Sequence, residues 1–333
     1  MQDDVRLPTI ADIREAARRI APYAVKTPLL ESPFLNDKVG ARILLKAEVL
    51  QRTGSFKFRG AYNRISQIDR NACPGGVVAC SSGNHAQGVA EAGRLCEVPT
   101  VIVMPSDAPA MKVARTKRSG AEVVFYDRHT EDRDAIARDI AEQRKAIYVA
   151  PFDDPDVIAG QGTVGLEIAE QARAAGAELE AVLTCCSGGG LAAGVGLAIE
   201  AESPKTGVYT VEPEDFDDYA RSLKSGQRER NAPSKTSICD ALLMETPGKL
   251  TFALNRDRLA GGLAVSDAEA SAAVAFAFNE LKLAVEPGGA VALAAILSGR
   301  YALSGKPVAV VLSGGNMDPA MLTRILARDV SAA

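Results

Sequence analysis

Residues 181–200 read AVLTCCSGGGLAAGVGLAIE, and the fold follows from that stretch. Ala181–Cys185 is a short, nearly unbroken apolar run, the pattern of a parallel strand covered on both faces. Ser187-Gly188-Gly189-Gly190-Leu191 comes next and opens a helical run to Glu200. Consecutive glycines cost chain entropy, a cost that makes sense where the backbone turns at positive φ or lies close to a ligand. Their amides, placed at a helix N-terminus, form a nest for an anion, and the helix dipole adds attraction for a phosphate. A plain strand-to-helix turn is the alternative, and it leaves three adjacent glycines without a reason.

The alternation extends in both directions. Ile43–Lys46, Val77–Cys80, Thr100–Met104, Glu122–Tyr126, Ile147–Ala150, Val208–Val211 and Val308–Leu312 read as strands. Asn84–Leu95, Asp134–Gln143, Thr163–Ala172 and Asp267–Leu281 read as helices. Thr9 and Asp12 form a capping box for a first helix with Ile10, Ile13, Ala17 and Ile20 on its apolar face. Strands alternating with helices predict an α/β fold on parallel sheet, with ligands beyond the carboxyl ends of the strands. Ser222–Ser237, rich in Lys, Arg, Ser and Gly, reads as a surface connection.

The chain has 333 residues, enough for two lobes with a cleft between them. A net charge of -4 gives no reason to expect nucleic acid or an anionic membrane as partner. Apolar runs such as Val308–Leu312 are too short to span a bilayer, and the acidic start, MQDDVRLPTI, lacks the apolar core of an export signal. Six cysteines in such a chain suggest reduced thiols and a cytoplasmic setting. With only His85 and His129, a histidine-built zinc site is nearly excluded, and a Ser-His-Asp hydrolase would need one of them as its base.

Two chemistries compete for the glycine loop. Gly188, Gly190 and Ala193 satisfy a dinucleotide fingerprint, and Glu212, at the end of the next strand, stands where a ribose-binding acid would. That reading leaves three further small-residue segments unexplained: Thr53-Gly54-Ser55-Phe56-Lys57, Ser81-Ser82-Gly83-Asn84-His85 and Ser313-Gly314-Gly315-Asn316. Lys57 lies between Phe56 and Phe58 and beside Arg59. Apolar surroundings and a second cation both favour a neutral amine, which is what attacks a carbonyl. A surface lysine snorkelling over the two aromatics is the competing reading.

Ser-Phe-Lys-Phe-Arg-Gly-Ala at 55–61, Ser-Ser-Gly-Asn-His at 81–85, the glycine loop and the late Ser-Gly-Gly-Asn occur in an order and spacing that resemble the serine/threonine dehydratase and serine racemase family. These are fold type II pyridoxal-phosphate enzymes, and the similarity runs from about Pro28 to Gly315. Phe58-Arg59-Gly60-Ala61 after the lysine resembles the dehydratase and racemase branch. The resemblance implies a larger cofactor-binding domain of residues 1–68 plus 151–333, a smaller α/β domain of 69–150, and a homodimer.

It also implies roles. Lys57 would hold pyridoxal phosphate as a Schiff base and take the α-proton of the substrate, with Phe56 beside the ring and Asn84 on its hydroxyl. Gly188, Gly189, Gly190 and Leu191 would bind the phosphate, and Ser313 would face the ring nitrogen. Ser81, Ser82, Asn84 and His85 would meet the substrate carboxylate at a helix N-terminus. Ser82 would handle the proton on the face opposite the lysine in a racemase. Glu212, the carbonyl of Phe216 and Asp218 would hold a divalent cation, magnesium or calcium, although an acidic surface turn accounts for the same residues. The expected reaction is β-elimination from L-threonine or L-serine to a 2-oxo acid and ammonia. Serine racemisation and 3-hydroxyaspartate dehydration are the related alternatives; Arg133 would suit a second carboxylate, although a salt-bridged helix residue is the favoured account of it. Too little chain follows Ser313 for the regulatory domain of biosynthetic threonine dehydratases, so isoleucine feedback is not expected.

Overall fold

The computed structural model describes residues 6–108 and 110–330, the last three by backbone only. Its strands in chain order are β1 (Leu29–Glu31), β2 (Ile43–Ala47), β3 (Val77–Cys80), β4 (Thr100–Pro105), β5 (Glu122–Tyr126), β6 (Ile147–Tyr148), β7 (Ala181–Cys185), β8 (Gly207–Pro213), β9 (Gly261–Val265) and β10 (Val308–Leu312). They form a six-stranded sheet, β1-β2-β10-β7-β8-β9, and a four-stranded sheet, β5-β4-β3-β6. Every pairing is parallel except β1 with β2. The expected α/β class with parallel sheet is therefore observed.

The inner strands are buried throughout, as their apolar runs require: ILLKA in β2, AVLTC in β7 and VAVVL in β10. Val308 of β10 is in register with Ile43 on one side and Ala181 on the other. The three strands therefore end together, and the segments that follow them emerge at one edge of the sheet. Those segments carry Lys57, the glycine loop and Ser313, which is the physical reason that residues so distant in sequence can share a site. In the four-stranded sheet, the end of β3 delivers the Ser81–His85 segment.

Two helices position this edge. Pro155–Ala174 is N-capped by Asp154, whose side chain accepts from the amides of Asp156 (2.8 Å) and Val157 (3.0 Å), with Pro155 in the first turn. The helix Lys57–Ile65 crosses it at two glycines: a Cβ on Gly160 would stand 2.6 Å from the Cα of Gly60. The close crossing tolerates no side chain at either position.

Several expectations need correction. The Pro155–Ala174 helix starts eight residues before the expected Thr163, because Gly160 and Gly162 hide the apolar periodicity. β1 and β9 escaped notice, being short and only partly buried. Ser222–Ser237 is not a simple surface connection. Its start belongs to the helix Asp218–Ser225, and Asn231 is buried with its amide on Asp218 Oδ1 (2.6 Å) and the Met244 carbonyl (2.8 Å). Ala290–Leu297, expected to offer apolar surface to a partner, lies in the helix Pro287–Leu297, which is buried within the chain from Pro287 to Ile296. Among the described residues no helix is long and apolar enough to cross a membrane.

Candidate active site

A cavity of about 260 Å³ opens where the two sheets face each other, and it brings together all four small-residue segments through Lys57, Ser82, Gly189 and Ser313. Lys57 starts its helix, directly after Phe56. Its Nζ donates to the carbonyl of Pro151 (2.6 Å) and lies 5.3 Å from the centroid of the Phe56 ring. Burial pushes its pKa down to about 8, opposed by Cys185, so a useful fraction is neutral amine near neutral pH.

Arg59 has no part in that shift, contrary to expectation. It points away from the cavity and is wholly buried, paired bidentately with Glu48 (2.8 Å to each oxygen) and with Glu167 (2.6 and 2.9 Å). Lys46 joins through Glu167 (2.6 Å) and the Thr27 carbonyl (2.6 Å). Burial alone would raise Glu48, but the Arg59 charge and hydrogen bonds hold it below the usual carboxylate range. The network clamps the first turn of the Lys57 helix from behind.

Gly189 has φ 94°, a left-handed value, and caps the helix Gly190–Glu202. A Cβ here would strike the Tyr219 ring, and one on Gly190 would stand 2.9 Å from Phe152. The Gly188 carbonyl accepts from Thr251 Oγ1 (2.6 Å) and the Gly189 carbonyl from Asn255 Nδ2 (3.3 Å). With the carbonyls held elsewhere, the first helix amides, from Gly190 and Leu191 on, have no intrahelical acceptor and suit an anion. Ser187, at the head of the loop, accepts from the Met244 amide (3.3 Å).

On the opposite wall, Gly83 is the N-cap of the helix Asn84–Cys96. Asn84 donates from Nδ2 to Glu286 (2.5 Å) and accepts at Oδ1 from Asn316 (2.8 Å). Ser81 Oγ accepts from the Gly83 amide (3.1 Å), and Ser82 lines the cavity. His85 lies with Nε2 3.0 Å from the Val149 carbonyl, so this nitrogen is assigned the proton. Burial, with the Lys57 charge, holds its pKa at about 3, so the ring is neutral, and Nδ1 has no partner among the described residues.

Glu286 went unnoticed in the sequence, and Cys185 was read only as the end of a strand. Glu286 precedes Pro287-Gly288-Gly289 at a helix start, a pattern that could have drawn attention to it. Burial pushes its pKa up to about 7, tempered by Asn84. Lys112 and Arg133 also line the cavity: Lys112 pairs with Asp240 (3.2 Å), whereas the nearest acid to Arg133 is its neighbour Asp134 at 3.7 Å.

Glu212 does not line the cavity. Its carboxylate accepts from the amides of Tyr219 (3.1 Å) and Ala220 (2.8 Å) and is fully buried, so it is closed to a ribose and the dinucleotide reading fails. Among the described residues no three His, Cys, Asp or Glu side chains converge on a cation position. Of the expected ligands, Phe216 is buried, and Asp218 takes Asn231 on Oδ1 but has no partner on Oδ2. An unpartnered buried carboxylate oxygen near a second carboxylate is donor chemistry of the kind a hard cation takes.

A neutral-prone lysine, an aromatic beside it, an amide nest and an unpartnered imidazole nitrogen fit a flat aromatic aldehyde that bears a phosphate. The protein-family profile described as "Pyridoxal-phosphate dependent enzyme" matches residues 20–314. An L-threo-3-hydroxyaspartate ammonia-lyase of Pseudomonas sp is 42% identical over 314 residues, covering 94% of this chain and 97% of that one. A threonine deaminase of T.th. superposes with a TM-score of 0.88 at 44% identity, covering 93% of this chain and 99% of that one. Maize serine racemase gives 0.90 at 36% identity, with 98% and 99% covered.

Proposed function

Because the chain belongs to the family of pyridoxal-phosphate dependent enzymes, we propose that it is an ammonia-lyase that eliminates water from a hydroxy-amino acid to give a 2-oxo acid and ammonia. The observation that carries this reading is that Lys57, with its depressed pKa, and the amide nest of Gly190 and Leu191 open onto one cavity. When bound, pyridoxal phosphate supplies the electron sink that makes the α-proton acidic. The chain's own residues do the rest. Amides at the start of the Gly190–Glu202 helix bind the phosphate, and those after Gly83 bind the substrate carboxylate. Lys57, once neutral, takes the α-proton. Asn84 and Ser313, both lining the cavity, would hold the ring by hydrogen bonds, and Phe56 would pack beside it.

L-Threonine and L-serine are candidate substrates, and 3-hydroxyaspartate fits the cavity better. Arg133 brings a cation whose nearest acid is Asp134 at 3.7 Å, whereas Lys112 is already paired with Asp240 on the cavity wall, and Glu286, with its pKa raised to about 7, is a weak counter-charge. A second substrate carboxylate would complete that balance, and the Pseudomonas relative carries the 3-hydroxyaspartate name. Ser82 on the cavity wall leaves room for accompanying racemisation. The test is a panel of L-threonine, L-serine and 3-hydroxyaspartate, assayed for oxo-acid release and by chiral chromatography. Arg133→Ala is expected to raise KM for 3-hydroxyaspartate about tenfold and leave L-serine nearly unchanged. Ser82→Ala should abolish inversion and spare elimination. Equal loss on every substrate would remove Arg133 from substrate selection.

The same reading takes residues 1–68 with 151–333 and residues 69–150 as the two lobes of a cytoplasmic homodimer. The buried Ala290–Leu297 helix cannot contribute to its interface, but the exposed Phe34, stacked at 6.1 Å on Phe276, is available. A monomer mass by sedimentation at assay concentration would end the dimer.

A further inference from the structure

Cys185 ends β7 and Ser313 follows β10, so parallel pairing of the two strands sets the side chains together at the floor of the cavity. Each is 4% exposed, and the Cys185 thiol donates to Ser313 Oγ at 3.2 Å. Both residues line the cavity, where the unpartnered Nδ1 of the 3% exposed His85 independently points to a polar ligand.

We infer that Cys185 is a positioning residue for Ser313: its thiol proton occupies the hydroxyl oxygen and leaves the single hydroxyl proton of Ser313 to be donated into the cavity, toward the ring nitrogen of the cofactor. A serine hydroxyl has one proton to give and can both donate and accept. If Cys185 were a thiolate it would take that proton, and the ring nitrogen would face only lone pairs. Burial, against the Ser313 hydrogen bond, pushes the thiol pKa up to about 11, so near neutral pH the sulfur carries its proton and donates. The pair supplies no acid strong enough to protonate the ring, and the ring nitrogen stays a neutral acceptor. This rests on the cofactor reading above and adds a residue to it.

The test titrates pyridoxal phosphate into the apo forms of the wild type, Cys185→Ala, Cys185→Ser, Ser313→Ala and the Cys185→Ala/Ser313→Ala double variant. Cofactor affinity and the pH dependence of the bound chromophore's absorbance are read for each holo form. Cys185→Ala is expected to weaken binding about fivefold, the size of one lost neutral hydrogen bond, and to move the chromophore's pH midpoint. Cys185→Ser, which restores a donor, should return both to near wild type. In the Ser313→Ala background Cys185→Ala should change neither, since residues acting through one contact are non-additive. Unchanged binding and midpoint in Cys185→Ala, or an equal effect of it in both backgrounds, would overturn the inference. Absence of a Lys57-dependent chromophore in wild type would overturn the cofactor reading, and this inference with it.

Discussion

Lys57 Nζ sits 2.6 Å from the carbonyl oxygen of Pro151, a residue that follows the last strand of the four-stranded sheet. The amine therefore bridges from the end of the larger sheet to the wall opposite. A carbonyl is a good partner for the ammonium and a poor one for a neutral acceptor nitrogen. The contact favours the protonated form, and burial works against it.

Lys57→Ala should leave a protein that folds, binds pyridoxal phosphate only reversibly and carries no attached yellow chromophore after dialysis. Turnover should fall by about three orders of magnitude or more, the range expected when a positioned acid–base group is lost. Absorbance after dialysis and an oxo-acid assay report the two effects. A yellow, active variant would remove Lys57 from the chemistry.

Arg59 acts on stability rather than on the lysine. It is fully buried between Glu48 and Glu167, so Arg59→Ala leaves the buried Glu48 without its ion-pair partner, while Glu167 keeps Lys46, and should cost about 3–5 kcal/mol. Urea denaturation measures it. Glu48→Gln should cost less, because the amide oxygen still accepts from the guanidinium.

Glu286 predicts a pH dependence of stability in the apoprotein. Its pKa rises from the ordinary 4.5 to about 7 on folding, chiefly through burial, so between these values the native state holds a proton that the unfolded chain has released. This contribution is fully present below pH 4.5 and is lost as pH rises through 7, with a total on the order of 3 kcal/mol. Glu286→Gln should therefore flatten the decline relative to wild type across that window. Parallel curves for the two proteins would assign the decline to other acids.

A divalent cation should stabilise the protein through Asp218 and Glu212. Asp218 Oδ2 is buried without a partner, and the Asp218 charge adds to the burial that raises Glu212. A cation bound only to the native state stabilises it by about 2.7 kcal/mol at a hundred times its Kd. Magnesium or calcium should raise the melting temperature of the wild type and leave that of Asp218→Asn unmoved. Insensitivity of the wild type to both ions and to chelator would leave Asp218 and Glu212 as structural acids.

The strand–glycine loop–helix unit at 181–202, the Lys57 turn and the class of fold were all legible in the chain, because each depends on neighbours within a few residues. Apolar periodicity, positive-φ glycines and helix starts are local properties, and they survive any arrangement of the rest. Partners across the fold were not legible. Asn84 meets Glu286 from 202 residues away and Cys185 meets Ser313 from 128, because the strand order puts β10 between β2 and β7. Arg59 looked like a cation beside Lys57, but successive helix residues point about 100° apart, and tertiary packing gave Arg59 two buried carboxylates instead. Glu212 stood where a ribose acid would, until the folding of Asp218–Ser225 into a helix drew its carboxylate onto backbone amides and away from the cavity. Which side chains face one cavity was set by strand register and helix direction, and those depend on contacts made hundreds of residues apart.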